Sequence, residues 1–181
     1  MNLEKEKIYI AFHKGNKKLL DKVIKFSSKG YYSHVELIFN GFSHSSSGRD
    51  NGCRKKEIKN MHFDDMTKWD IYVVDTEKFN FESEKAIKLY HDWIITSHTE
   101  RETHNMRKGR YDYPSLIINH LLRLFFVPKL FKDKMICTDY VYNMMKSLGL
   151  EFNLSQSSYN LSPSNLFDEM ISKEIIKSDK L

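Results

Sequence analysis

Thiol and imidazole are the side chains of this chain best suited to covalent chemistry. A thiolate attacks carbonyl carbon, and an imidazole moves protons near neutral pH. The sequence holds two cysteines, Cys53 and Cys137, and eight histidines. Many accidental pairs are therefore possible, and local context must choose. Cys137 immediately precedes a run with helical spacing, Thr138 to Leu148, which Gly149 stops. That places its sulfur where backbone N–H groups lack helical partners and the helix dipole is positive. Both effects favour a thiolate, and the same N–H groups suit a developing oxyanion. On local residues alone, a buried structural cysteine between Ile136 and Thr138 is the competing reading. Cys53 has Arg54, Lys55 and Lys56 beside it, but no helix start follows.

The candidate base is His34, inside Ser33 to Phe39 (SHVELIF), a strand by its alternation and β-branched content. A strand is a rigid mount for a catalytic imidazole. Asn40-Gly41 is a strong signal for a two-residue hairpin turn. Such a turn pairs Phe39 with Phe42, faces Glu36 to Ser45 and sets His34 opposite Ser47. Glu36, Ser45 and Ser47 then share the His34 face, and His44 points away. A three-residue loop would instead bring His44 onto that face. Ser45, His44 and Glu36 are accordingly the candidates for the polar group that orients His34.

Other elements must carry these residues. Lys7 to Phe12 and Trp69 to Val74 read as buried strands, and Cys53 to Ile58 as a further strand. Helices are expected from Asn16 to about Ser28, from Phe81 to about Ser97, and from Pro114 to about Phe126. Leu161 to Met170 has Ser162 as cap and Pro163 at the first helical position. Strands cluster in the first half and helices in the second, which argues for an α+β fold. At 181 residues the chain reads as one domain, 1–181, with enough length to bury a core.

Composition narrows the function further. The net charge is +5, mostly from lysine, and the basic residues are scattered: Lys14 to Lys29, Arg54 to Lys56, Arg107 to Arg110, Lys129 to Lys134. Scattered lysines read as solvated surface, not as a nucleic-acid face. His91, His98 and His104 lack zinc-ligand spacing, and neither a phosphate-binding glycine loop nor a G-x-S-x-G elbow occurs. No metal and no other cofactor is expected. No run reaches the roughly 18–20 apolar residues of a membrane span, so stable membrane insertion is not expected. Two cysteines make a thin disulfide framework, and Met1 to Lys7 lacks an apolar signal core. Both point to a reducing, cytoplasmic setting.

Taken in order, these segments resemble a known family, the circularly permuted NlpC-type papain-like cysteine hydrolases, in particular their YiiX/YebB-like branch. YSHVELIF-NG (Tyr32 to Gly41) resembles the family's histidine strand and turn. SSSGRDNGCR (Ser45 to Arg54) is similar to the loop and strand that follow, and WDIYVVD (Trp69 to Asp75) to the next strand. GRYDYPSLI (Gly109 to Ile117) resembles the tyrosine-containing entry to the helix before the nucleophile. MICTDYVYNMMKSLGL (Met135 to Leu150) resembles the nucleophile helix, with Thr138 and Asp139 where Ser and Glu are usual, and LSPSNLFDEM the closing Ser-Pro segment. The likeness runs from about Lys7 to Met170, and the histidine precedes the cysteine, as permutation requires.

The resemblance implies an antiparallel sheet or partial barrel packed against helices. It implies Cys137 as nucleophile, His34 as base, and a third polar residue on the following strand near Ser45 and His44. It places Tyr111 and Asp139 along the oxyanion and substrate region. The implied activity is a thiol hydrolase of amidase or peptidase type, working through an acyl-thioester on a peptide-amide or acyl substrate. Two alternatives stand beside it. One is a binding module that keeps the fold without catalysis. The other is an acyltransferase at a membrane surface, like the lecithin retinol acyltransferase branch, motivated by the apolar run Leu116 to Val127 beside Lys129, Lys132 and Lys134.

Overall fold

A computed structural model describes residues 3–15, 30–50, 52–79, 81, 136–177 and 181. The expected helices from Asn16 and from Pro114, the expected helix from Phe81 beyond that first residue, the apolar run Leu116 to Val127, and Tyr111 lie outside the described residues.

Five strands form one antiparallel sheet: β1 (Tyr9–His13), β2 (His34–Phe39), β3 (Phe42–Ser47), β4 (Gly52–Glu57) and β5 (Trp69–Val73), in the order β4-β3-β2-β1-β5. Two helices are described, α1 (Cys137–Ser147) and α2 (Pro163–Ser172). The architecture is α+β.

The β2–β3 hairpin turns on two residues. Asn40 (φ 49°) and Gly41 (φ 80°) both sit in the left-handed region, which an Asn-Gly pair adopts at little cost. Phe39 pairs with Phe42, Ile38 with Ser43 and Leu37 with His44. The three-residue alternative is thereby excluded. Because side chains alternate across a sheet, this register decides which residues meet His34.

One face of the sheet carries Ile8, Ile10, Phe12, Val35, Leu37, Phe39 and Cys53, in a buried cluster with Tyr140, Val141, Met144 and Met145 of α1 and Leu166 and Met170 of α2. α1 packs against β2 and β3. The other face is divided. Toward β1 and β5 it is apolar, with Tyr9, Ala11, Ile38, Trp69 and Ile71 under Phe63. Toward β2, β3 and β4 it is polar yet buried, with Glu36, Ser43, Ser45, Ser47 and Arg54 all inaccessible or nearly so. Burying such groups is costly unless each is paired, and their pairing builds the site.

Candidate active site

α1 begins at Cys137, as its helical spacing requires, and Ile136 at the N-cap supplies no side-chain hydrogen bond. The sulfur therefore stands at the positive end of the helix with no capping side chain. Cys137 is buried and is not in a disulfide. Thr138 anchors this end by donating its hydroxyl hydrogen to the Leu161 carbonyl, at 2.9 Å.

His34 is the first residue of β2. Cys137 acts on its ring through charge and a side-chain hydrogen bond. The ring nitrogen Nε2 lies 3.2 Å from Glu36 Oε1 and 3.3 Å from Ser45 Oγ. Ser45 gives its own hydrogen to the Val35 carbonyl, at 2.8 Å. Its oxygen therefore faces Nε2 as an acceptor, like the carboxylate. Two acceptors at Nε2 favour a proton there.

The electrostatics follow from this geometry. Burial pushes the His34 imidazole down, but the charge and hydrogen bond of Cys137, and then Glu36, outweigh it and raise the pKa to about 9. Burial pushes the Glu36 carboxyl up, but His34, Arg54 and Ser43 together hold it below the ordinary carboxylate value. Glu36 Oε2 accepts from the Ser43 hydroxyl, and Oε1 also meets Arg54 Nη2. Arg54 Nε in turn lies 3.0 Å from Asp50 Oδ2, and Lys56 Nζ lies 2.9 Å from Asp50 Oδ1. A chain of alternating charge thus runs from the imidazole toward the surface.

The mounting of His34 comes from distant segments. Ser164, in the first turn of α2, accepts the Tyr32 N–H at 2.8 Å, two residues before His34. Ser162 caps that helix by accepting the Asn165 N–H at 3.1 Å. The Tyr32 hydroxyl donates to Asp70 Oδ2 at 2.9 Å, and Lys14 Nζ reaches Asp70 Oδ1 at 2.8 Å. His13 pairs directly with His34 across β1 and β2. Its ring packs on Trp69 with centroids 4.7 Å apart, and its Nδ1 accepts from the Gly15 N–H at 3.2 Å.

The candidates from the sequence are thus sorted. Cys137, His34, Glu36 and Ser45 come together. His44 is buried on the opposite face, paired with Leu37. Asp139 is buried in the first turn of α1. Its Oδ1 accepts from Ser158 at 2.7 Å and from Asn143 at 3.0 Å, a bracket between α1 and the 158–160 turn. The reading of Arg54 as part of a solvated basic run needs correction. It is 8% exposed and serves as the counter-ion of Glu36. Arg54 and Ser43 were missed because only cross-strand register brings them to Glu36. The signal was within reach: extending the hairpin pairing to β4 sets Ser45 opposite Arg54.

Among the described residues no group of three or more His, Cys, Asp or Glu is placed to hold a metal ion, and no helix is long and apolar enough to cross a membrane. The chain matches no protein-family model and no curated protein.

Proposed function

We propose that this chain is a cysteine hydrolase of amidase or peptidase type, built on the circularly permuted NlpC-type papain-like plan. The observation that carries the reading is the position of the His34 ring. The ring interacts with Cys137 at a helix start, and its Nε2 lies 3.2 Å from Glu36 Oε1 and 3.3 Å from Ser45 Oγ. A nucleophile, a base in contact with it, and a third group orienting the base form the arrangement that acyl transfer needs.

His34 holds its proton up to about pH 9, so near neutrality it stands as an imidazolium beside the sulfur. Sγ attacks the substrate carbonyl carbon, and the carbonyl π electrons move to oxygen. The Cys137 backbone N–H, at the positive end of α1, stabilises that oxyanion. As the C–N bond breaks, His34 gives its proton to the leaving nitrogen and an acyl-thioester remains. The neutral imidazole then takes a proton from water, whose oxygen attacks the thioester. The carboxylic acid leaves, and the pair returns to its starting state. Glu36 and Ser45 keep the ring in one orientation throughout.

The test is alkylation by iodoacetamide at pH 6, followed site by site with mass spectrometry. Cys137 is expected to label about tenfold or more faster than Cys53. Equal, slow labelling of both thiols would overturn the reading.

A further inference from the structure

Glu36 is shared. Its Oε1 meets both His34 Nε2 and Arg54 Nη2, so the carboxylate charge is divided between an imidazole and a guanidinium. Arg54 is shared as well. Its Nε lies 3.0 Å from Asp50 Oδ2, an ion-pair contact without an aligned N–H hydrogen bond, and its Nη1 lies against Met61 Sδ at 3.2 Å. Asp50 is the outermost acid of the series, 27% exposed at its side chain, and is also bound by Lys56. Orienting an imidazole needs only one acceptor, and Ser45 already provides one. The buried arginine and the second acid therefore call for another explanation.

We propose that Arg54 and Asp50 form a tuning pair that acts on His34 through Glu36. Arg54 draws the carboxylate charge away from the imidazole, and Asp50 offsets part of the charge on Arg54. Both are positioning residues, and their value rests on the catalytic role assigned to His34 above. The sign of each effect follows from charge alone. Without Arg54, the whole of Glu36 acts on the imidazolium and a nearby positive charge is gone, so His34 holds its proton to higher pH. Without the charge of Asp50, Arg54 and Lys56 are less compensated, so His34 releases its proton at lower pH. The other groups facing His34 are Ser45 from β3, His13 from β1 and Cys137 from α1.

The experiment is an NMR titration of the His34 ring in the full chain carrying Cys137→Ala, so that the sulfur does not contribute to the midpoint. In that background Arg54→Met is expected to raise the midpoint by about half a unit or more, and Asp50→Asn to lower it by a few tenths, about 0.3. Arg54→Lys keeps the charge without the planar fork, and its midpoint is expected between those of Arg54→Met and the background. A pair whose charges do not reach His34 through Glu36 would leave the midpoint unmoved in both variants, and that result overturns the proposal. If Arg54→Met does not fold, Asp50→Asn decides alone: a lowered midpoint supports the pair, and an unmoved or raised one overturns it. Iodoacetamide selectivity, read separately with Cys137 present, tells failure of the nucleophile reading from failure of the tuning pair.

Discussion

Glu36 Oε1 lies 3.2 Å from His34 Nε2, on the same strand two residues on, with no exposed surface of its own. This contact turns a strand histidine into an oriented one. It also makes a buried acid tolerable, because the carboxylate has His34, Arg54 and Ser43 as partners.

His34→Ala is expected to slow iodoacetamide labelling of Cys137 at pH 6 by about tenfold, because the sulfur loses the imidazole that interacts with it. Cys53, on β4, is expected to label at an unchanged rate. Peptide mapping after timed alkylation measures both sites in one sample.

The stability contributed by His34 depends on pH with a definite sign. Its folded pKa is raised from 6.5 to about 9, so the contribution is complete below 6.5 and is lost as pH climbs through 9. Glu36 is shifted the other way from 4.5; its contribution is present above 4.5 and fades as pH falls below that. The gap in urea-unfolding stability between wild type and His34→Ala is therefore expected to be widest between about pH 4.5 and 6.5. A gap that stayed constant to pH 9 would contradict the ion-pair account.

Glu36→Gln keeps the shape of the side chain but leaves the buried Arg54 with only the partly exposed Asp50 as counter-ion. A loss of about 3 kcal/mol or more is expected in chemical denaturation. Glu36→Gln combined with Arg54→Met is expected to recover part of that loss, because the buried guanidinium is then gone as well. A double variant less stable than the two single losses added together would argue against direct pairing.

Ser162→Ala removes the acceptor for the Asn165 N–H at the start of α2, at an expected cost of about 1 kcal/mol. The same helix presents Ser164 to Tyr32, so the loss is expected to be accompanied by shifts in the His34 ring signals.

Gly41→Ala tests the hairpin. Its φ is +80°, and an added Cβ would meet only Lys5 Cε, at 3.8 Å. The cost is therefore conformational rather than steric crowding, about 1 kcal/mol.

Local chemistry made much of this protein legible from its residues. Alternation and β-branching marked the strands, Asn40-Gly41 marked the turn, and Ser162-Pro163 marked a helix start, because each is governed by neighbours within a few residues. The hairpin register followed from the turn, and with it the placing of Glu36 and Ser45 beside His34. What lay beyond reach was set by contacts between segments far apart. The approach of Cys137 to His34 spans more than a hundred residues and depends on α1 packing against β2 and β3. Arg54 looked like one more solvated base, because nothing adjacent to it announces a buried carboxylate; pairing of β4 with β3 carried it there. Asp139 is tied to the 158–160 turn through Ser158, a contact that residue spacing does not announce. Sequence determines which side chains share a face of one element. Which faces meet, and so which charges must neutralise one another out of water, is decided by packing across the whole chain.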